Sequence, residues 1–112
     1  MTIHIVEDDF GVRDAFIALA DGFGHRVFAY ADGESFLEAG EPAPDDVIFV
    51  DLGLPGVPGA DVIRWLRSLS APPQVVAISG RSRADIDAML RDFPGLQLLR
   101  KPLAPDAVSA FL

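Results

Sequence analysis

Val47-Ile48-Phe49-Val50-Asp51-Leu52-Gly53-Leu54-Pro55-Gly56 is the stretch on which the reading of this chain turns. Four apolar residues run straight into one carboxylate, and a Gly/Pro-rich turn follows. A short apolar run bounded by turn signals predicts a strand buried on both faces, as in a parallel sheet covered by helices. Asp51 then stands where that strand ends. In open α/β sheets the ligand site lies at the carboxyl ends of the strands. Taken alone, Asp51 could equally end a strand or hold a turn, so the other strand ends have to decide.

Upstream, Thr2 to Val6 predicts a short strand that ends in Glu7-Asp8-Asp9. Val12, Ala15, Phe16, Leu19, Ala20 and Phe23 recur at helical spacing, so Phe10 to about Asp21 reads as an amphipathic helix with Asp9 as its N-cap. His25 to Tyr30 reads as a second strand, and Asp32-Gly33-Glu34 opens a short helix that stops at Gly40. Downstream of the turn, Val62, Ile63, Leu66 and Leu69 define a third helix, broken by Ala71-Pro72-Pro73. Gln74 to Ile78 is a fourth strand ending in Ser79-Gly80. Ile86, Met89, Leu90 and Phe93 mark a fourth helix, and Leu96 to Leu99 a fifth strand ending in Arg100-Lys101-Pro102. Pro105 opens a last helix carrying Val108 and Phe111. Strand and helix alternate five times. The expected fold is therefore α/β: a five-stranded parallel, doubly wound, flavodoxin-like sandwich with right-handed crossovers.

The 112 residues suit one domain, and half of them are hydrophobic, enough for a sizeable core. The absence of cysteine excludes disulfides and thiolate metal sites and fits a reducing, cytoplasmic setting. No apolar run approaches a membrane span, and no basic-then-apolar leader opens the chain. A net charge of −8, without a basic face, argues against nucleic acid as a partner. Lys101 is the only lysine; every other cation is arginine.

The chemistry follows from what stands past each strand. The first strand gives Glu7 and Asp8, the third Asp51, the fourth Ser79 and the fifth Lys101. A parallel sheet brings all of these to one edge. Clustered carboxylates repel unless a cation compensates. Hard oxygen ligands without His or Cys suit Mg²⁺. A carboxylate can also accept a phosphoryl group, which would place that group on Asp51. Lys101 would neutralise the transferring oxygens and Ser79 would donate a hydrogen bond to one. Each residue has a plainer role too. Glu7, Asp8 and Asp9 could simply favour a helix N-terminus, Ser79 could cap the next helix, and Lys101 could be a surface lysine. Five coincidences at the ends of alternating strands weigh against that.

Ile5-Val6-Glu7-Asp8-Asp9 with Arg13, then Val50-Asp51-Leu52-Gly53-Leu54-Pro55-Gly56, Ala77-Ile78-Ser79-Gly80 and Lys101-Pro102 resemble, in order, the receiver (CheY-like) domain of bacterial two-component response regulators. The resemblance spans residues 1–112 as a single receiver. It implies Asp51 as phospho-acceptor and Glu7, Asp8, Asp51 and the Gly53 carbonyl as the Mg²⁺ ligands. It further implies Ser79 as switch hydroxyl and Lys101 as the site cation. A sensor histidine kinase or histidine phosphotransfer protein would supply the phosphoryl group, and dephosphorylation would be slow and self-catalysed. Homodimers would form through the face of the fourth helix, fifth strand and fifth helix. The texture is also similar to receivers that precede helix-turn-helix output domains. Leu98 stands where receivers usually carry Tyr or Phe, so no ring follows Ser79 inward. The last helix is short or truncated, and Ala104 is a poor cap for it.

Other classes fit less well. A nucleotide or flavin binder needs amides, not Glu7-Asp8-Asp9, after the first strand. A serine hydrolase needs a histidine beside Ser79, whereas His4 and His25 lie in strands. An Asp-nucleophile phosphatase wants a second acid where Gly53 stands. A receiver-like adaptor that works without phosphorylation would keep the fold but not need all five site residues.

Overall fold

The computed structural model describes residues Met1 to Leu112. Its elements run β1 (Thr2–Val6), α1 (Phe10–Gly22), β2 (Arg26–Tyr30), α2 (Gly33–Glu38), β3 (Val47–Asp51), α3 (Gly59–Ser68), β4 (Gln74–Ser79), α4 (Arg83–Asp92), β5 (Gln97–Arg100) and α5 (Pro105–Ser109). All strand pairs are parallel, in the order β2-β1-β3-β4-β5. This is the expected flavodoxin-like sandwich. β3 lies at the centre and is buried along its whole length, as its apolar run requires.

The pleat divides the core in two, because successive side chains point to opposite faces. Ile3, Ile5, Val47, Phe49, Val76 and Ile78 meet Phe16 and Ala20 of α1 and Val108 of α5. Val6, Ile48, Val50 and Ala77 meet Phe36 of α2, Val62, Ile63 and Leu66 of α3, and Phe93 beyond α4. Register then sets the site. Val6 lies opposite Val50, Asp51 opposite Ile78, and Ser79 opposite Arg100. Glu7, Asp51, Ser79 and Lys101 therefore reach the same edge.

Most differences from expectation lie at element ends. β3 and β4 each run one residue further, taking in Asp51 and Ser79, and β5 is shifted by one. Leu52 N–H donating to the Ile78 carbonyl (2.9 Å) and Lys101 N–H donating to that of Ser79 (2.9 Å) continue the ladders past the apolar runs. His25 precedes β2 and contacts the Leu112 carbonyl through Nε2 at 2.7 Å. His4 is a structural histidine, 2.9 Å from Asp46 through Nε2. Burial pushes the Asp46 carboxyl up, but hydrogen bonds from His4 and the Thr2 and Ala43 amides hold it below the usual range. α5 ends at Ser109, and Ala104 provides no side-chain cap. Phe111 lies beyond the helix yet still packs edge-on to Phe49, with centroids 6.0 Å apart. No helix is long and apolar enough to cross a membrane.

Two glycines shape the loop after β3. Gly56 has φ +68°, and a Cβ there would lie 2.6 Å from the Glu34 carboxylate. Gly59 opens α3 directly against the strand end: a Cβ would press into the Asp51 carbonyl oxygen and lie 3.0 Å from Leu52 Cα. Gly59→Ala is expected to destabilise the protein by about 1–3 kcal/mol, the usual range for overpacking. Denaturant unfolding checks this, and a wild-type midpoint would show that the loop yields freely.

Candidate functional site

The turn after β1 positions the acids. Glu7 N–H continues the ladder to Tyr30 (3.0 Å), so the Glu7 side chain is aimed by the sheet and is fully buried. Asp9 leaves the cluster. Its Oδ1 accepts from the Val12 amide at 3.0 Å and caps α1, while its own amide donates to Glu7 Oε1 at 3.0 Å. Asp8, between them, is exposed. Glu7, Asp8 and Asp51 each offer a carboxylate oxygen, and these lie within 4.8 Å of one another.

Asp51 is 3 % exposed. Its Oδ1 accepts from the Gly53 amide at 3.1 Å, an Asx-type turn that fixes the carboxylate against its own loop. Lys101 supplies the counter-charge. Its Nζ donates to Glu7 Oε1 at 3.0 Å and to Asp51 Oδ2 at 3.3 Å. The only lysine thus bridges both buried acids, where the sequence suggested a general neutralising role.

Burial pushes the Glu7 carboxyl up to about 7; the Asp9 amide and Lys101 pull it down and Asp51 pushes it further up. Burial alone would lower the Lys101 ammonium, but the hydrogen bond to Glu7 and the Asp51 charge outweigh it and raise the ammonium above its ordinary value. One Lys cannot satisfy three carboxylates. Glu7 Oε2 lies 3.0 Å from Nζ yet accepts no well-formed hydrogen bond. A buried carboxylate oxygen that has a salt bridge but no well-formed hydrogen bond, beside two further carboxylate oxygens and no nitrogen or sulfur ligand, fits a hard divalent cation such as Mg²⁺.

Ser79 is buried at the same edge, but its Oγ accepts from the Arg81 amide at 3.0 Å and makes no hydrogen bond to the acids. Its alternative role as helix cap falls to Ser82, whose Oγ accepts from the Asp85 amide. Gly80 adjoins the Lys101 stem, so that a Cβ there would meet Cδ at 3.6 Å. Leu98 is half-buried and packs with the α3/α4-side core. Glu34 escaped sequence reasoning. It accepts from the Val57 amide at 2.9 Å and ties α2 to the loop after β3. A helix-opening glutamate carries no signal of a contact so far along the chain.

A family model described as response regulator receiver domain matches residues 3–112. Among characterised relatives, the transcriptional regulatory protein FixJ of Azorhizobium caulinodans is 24% identical over 110 residues, covering 98% of this chain and 52% of that protein. The KDP operon transcriptional regulatory protein KdpE of Escherichia coli is 37% identical over 111 residues, covering 98% and 48%. The chain thus spans about half the length of these relatives. Among solved structures, a CheY-like receiver domain protein from Methanospirillum hungatei superposes with a TM-score of 0.84 at 18% identity, covering 97% of this chain and 87% of that one. The BeF3-activated receiver domain of DrrB gives 0.84 at 21%, covering 98% and 93%.

Proposed function

This chain belongs to the response regulator receiver domain family of two-component systems, and from that premise we propose that it accepts a phosphoryl group on Asp51 in a Mg²⁺-dependent reaction. The observation that carries the reading is the bridging of the two buried acids Glu7 and Asp51 by Lys101, with Asp8 beside them and Glu7 Oε2 without a well-formed hydrogen bond. Glu7, Asp8, Asp51 and the Gly53 carbonyl would hold the metal. When bound, Mg²⁺ supplies charge neutralisation at the transferring oxygens.

The chain's own residues do the rest. Asp51 is the nucleophile: one carboxylate oxygen forms the new P–O bond while the P–N bond to the donor's histidine breaks. The Gly53 amide keeps that carboxylate oriented. Lys101 moves its hydrogen bond from Asp51 to a phosphoryl oxygen while staying on Glu7. The Ser79 hydroxyl exchanges the Arg81 amide for the phosphoryl group. The donor is a sensor histidine kinase or histidine phosphotransfer protein, and loss of the phosphoryl group to water is slow and self-catalysed. Residues 1–112 act as one receiver unit in the cytoplasm. The α4-β5-α5 face is the output and homodimer surface, with a response damped by Leu98 in place of an aromatic ring.

Intact mass after incubation with acetyl phosphate, with and without Mg²⁺, tests the reading. One phosphoryl adduct that requires Mg²⁺ is expected. No adduct under any condition would leave a receiver-like adaptor that works without phosphorylation. The metal register has its own check by amide-shift titration. Asp8→Ala should weaken Mg²⁺ binding about tenfold or more. Asp9→Ala should change it little, because Asp9 is spent on the α1 cap. Equal losses would show the register to be wrong.

A further inference from the structure

Arg13 has no place in the chemistry above, yet its side chain reaches back to the metal-binding turn. Its Nη1 donates to the Glu7 carbonyl at 2.9 Å and to the Asp8 carbonyl at 3.3 Å. No backbone amide reaches either carbonyl, since the ladder ends at Glu7 N–H and the α1 ladder begins at the Asp9 carbonyl. One guanidinium nitrogen thus closes the gap between strand and helix. The ring of Phe10 lies over this group, with Cζ 5.6 Å from its centroid. That contact gives a role to a phenylalanine that is 67% exposed.

The two acids depend on this brace unequally. Glu7 is held by the sheet, the Asp9 amide and Lys101. The exposed Asp8 carboxylate has no protein hydrogen bond, so its position rests on its own backbone. That backbone is held by Arg13.

We infer that Arg13, backed by Phe10, is a positioning residue for the metal: by fixing the Glu7 and Asp8 carbonyls it holds the Asp8 carboxylate where a divalent cation can use it. The inference rests on the metal-site reading given above. Its sign separates it from simple electrostatics. A guanidinium near the site repels a cation, so a charge-only role predicts tighter Mg²⁺ binding when Arg13 is neutralised. A positioning role predicts weaker binding, because a loosened ligand must be ordered when the metal binds.

The experiment is an amide-shift titration with Mg²⁺ alone, without phosphodonor, on wild type, Arg13→Gln, Asp8→Asn and the double variant. Arg13→Gln should raise the Mg²⁺ Kd about tenfold, as is typical for residues that orient metal ligands. The apo unfolding midpoint should stay near wild type. In the Asp8→Asn background the same change should add less than about twofold, because coupled sites are not additive. Phe10→Ala removes an exposed ring and should weaken binding by a smaller factor; it keeps the test open if Arg13→Gln folds poorly. Unchanged or tighter binding in Arg13→Gln, or a full loss that adds to that of Asp8→Asn, overturns the inference. Absence of Mg²⁺ binding by the wild type would overturn the metal-site reading itself.

Discussion

Asp51→Asn is expected to abolish phosphoryl uptake from acetyl phosphate while leaving the fold in place. The two halves of that outcome come from different contacts. Asn keeps the volume of Asp and an oxygen that can still accept from the Gly53 amide, now at 3.1 Å. Lys101 keeps its stronger tether to Glu7 at 3.0 Å. One of two mutually repelling buried charges is gone. The amide nitrogen that replaces Oδ2 cannot accept from Lys101, so the change should cost about 1–3 kcal/mol, the range for leaving one buried polar group unpaired, and the fold should persist. An amide is not a nucleophile toward phosphorus, so no acyl phosphate can form. The neighbouring acids cannot substitute for it. Glu7 is buried beneath Lys101 and titrates near 7, and Asp8 is exposed to water. Intact mass in donor and Mg²⁺ should show no adduct at times when the wild type is fully modified. An adduct that survives the substitution would remove Asp51 from the centre of the site.

The sheet was legible because burial speaks loudly in this chain. Val47 to Val50 could only be a central strand, and once its direction was set, alternation with helices placed Glu7, Asp51, Ser79 and Lys101 at one edge. Composition could not show how those groups would pair. That Lys101 bridges Glu7 as well as Asp51 depends on where a flexible four-carbon stem lies, here along Gly80. That Ser79 faces the Arg81 amide depends on a rotamer. Contacts such as Glu34 to Val57 and Arg13 to two carbonyls join side chains to backbone, and backbone groups leave no mark in a sequence. α5 is the least legible element. Its cap is an alanine, and Phe111 keeps its apolar role against Phe49 without being helical.

Replacement of Lys101 should produce a defect that depends on both pH and metal. In the native state Glu7 keeps its proton up to about 7, against an ordinary value of 4.5. Between these limits the folded protein binds more protons than the unfolded chain, so stability falls as pH rises, by at most about 1.4 kcal/mol per pH unit. Lys101 limits this loss, since it pulls the Glu7 carboxyl down and offsets Asp51. Without it Glu7 should titrate higher still, and the loss should extend past neutral pH. Lys101→Ala should then be nearly as stable as wild type at pH 5 and less stable by about 2–4 kcal/mol at pH 8, approaching the range for stripping a partner from a buried pair. Mg²⁺ should recover part of that difference, because it supplies charge to the same carboxylates. Some phosphorylation of Asp51 should persist, but the BeF3-induced shifts on the α4-β5-α5 face should be lost. Lys101→Arg should not restore them. A guanidinium is a broad planar fork rather than a compact point charge, whereas a single Nζ here serves both Glu7 and Asp51. The measurements are thermal unfolding across pH with and without Mg²⁺, phosphorylation by mass, and amide shifts with beryllofluoride. A Lys101→Ala protein with the wild-type pH profile and the wild-type shifts would reduce Lys101 to a surface charge and leave the buried acids without their counter-ion.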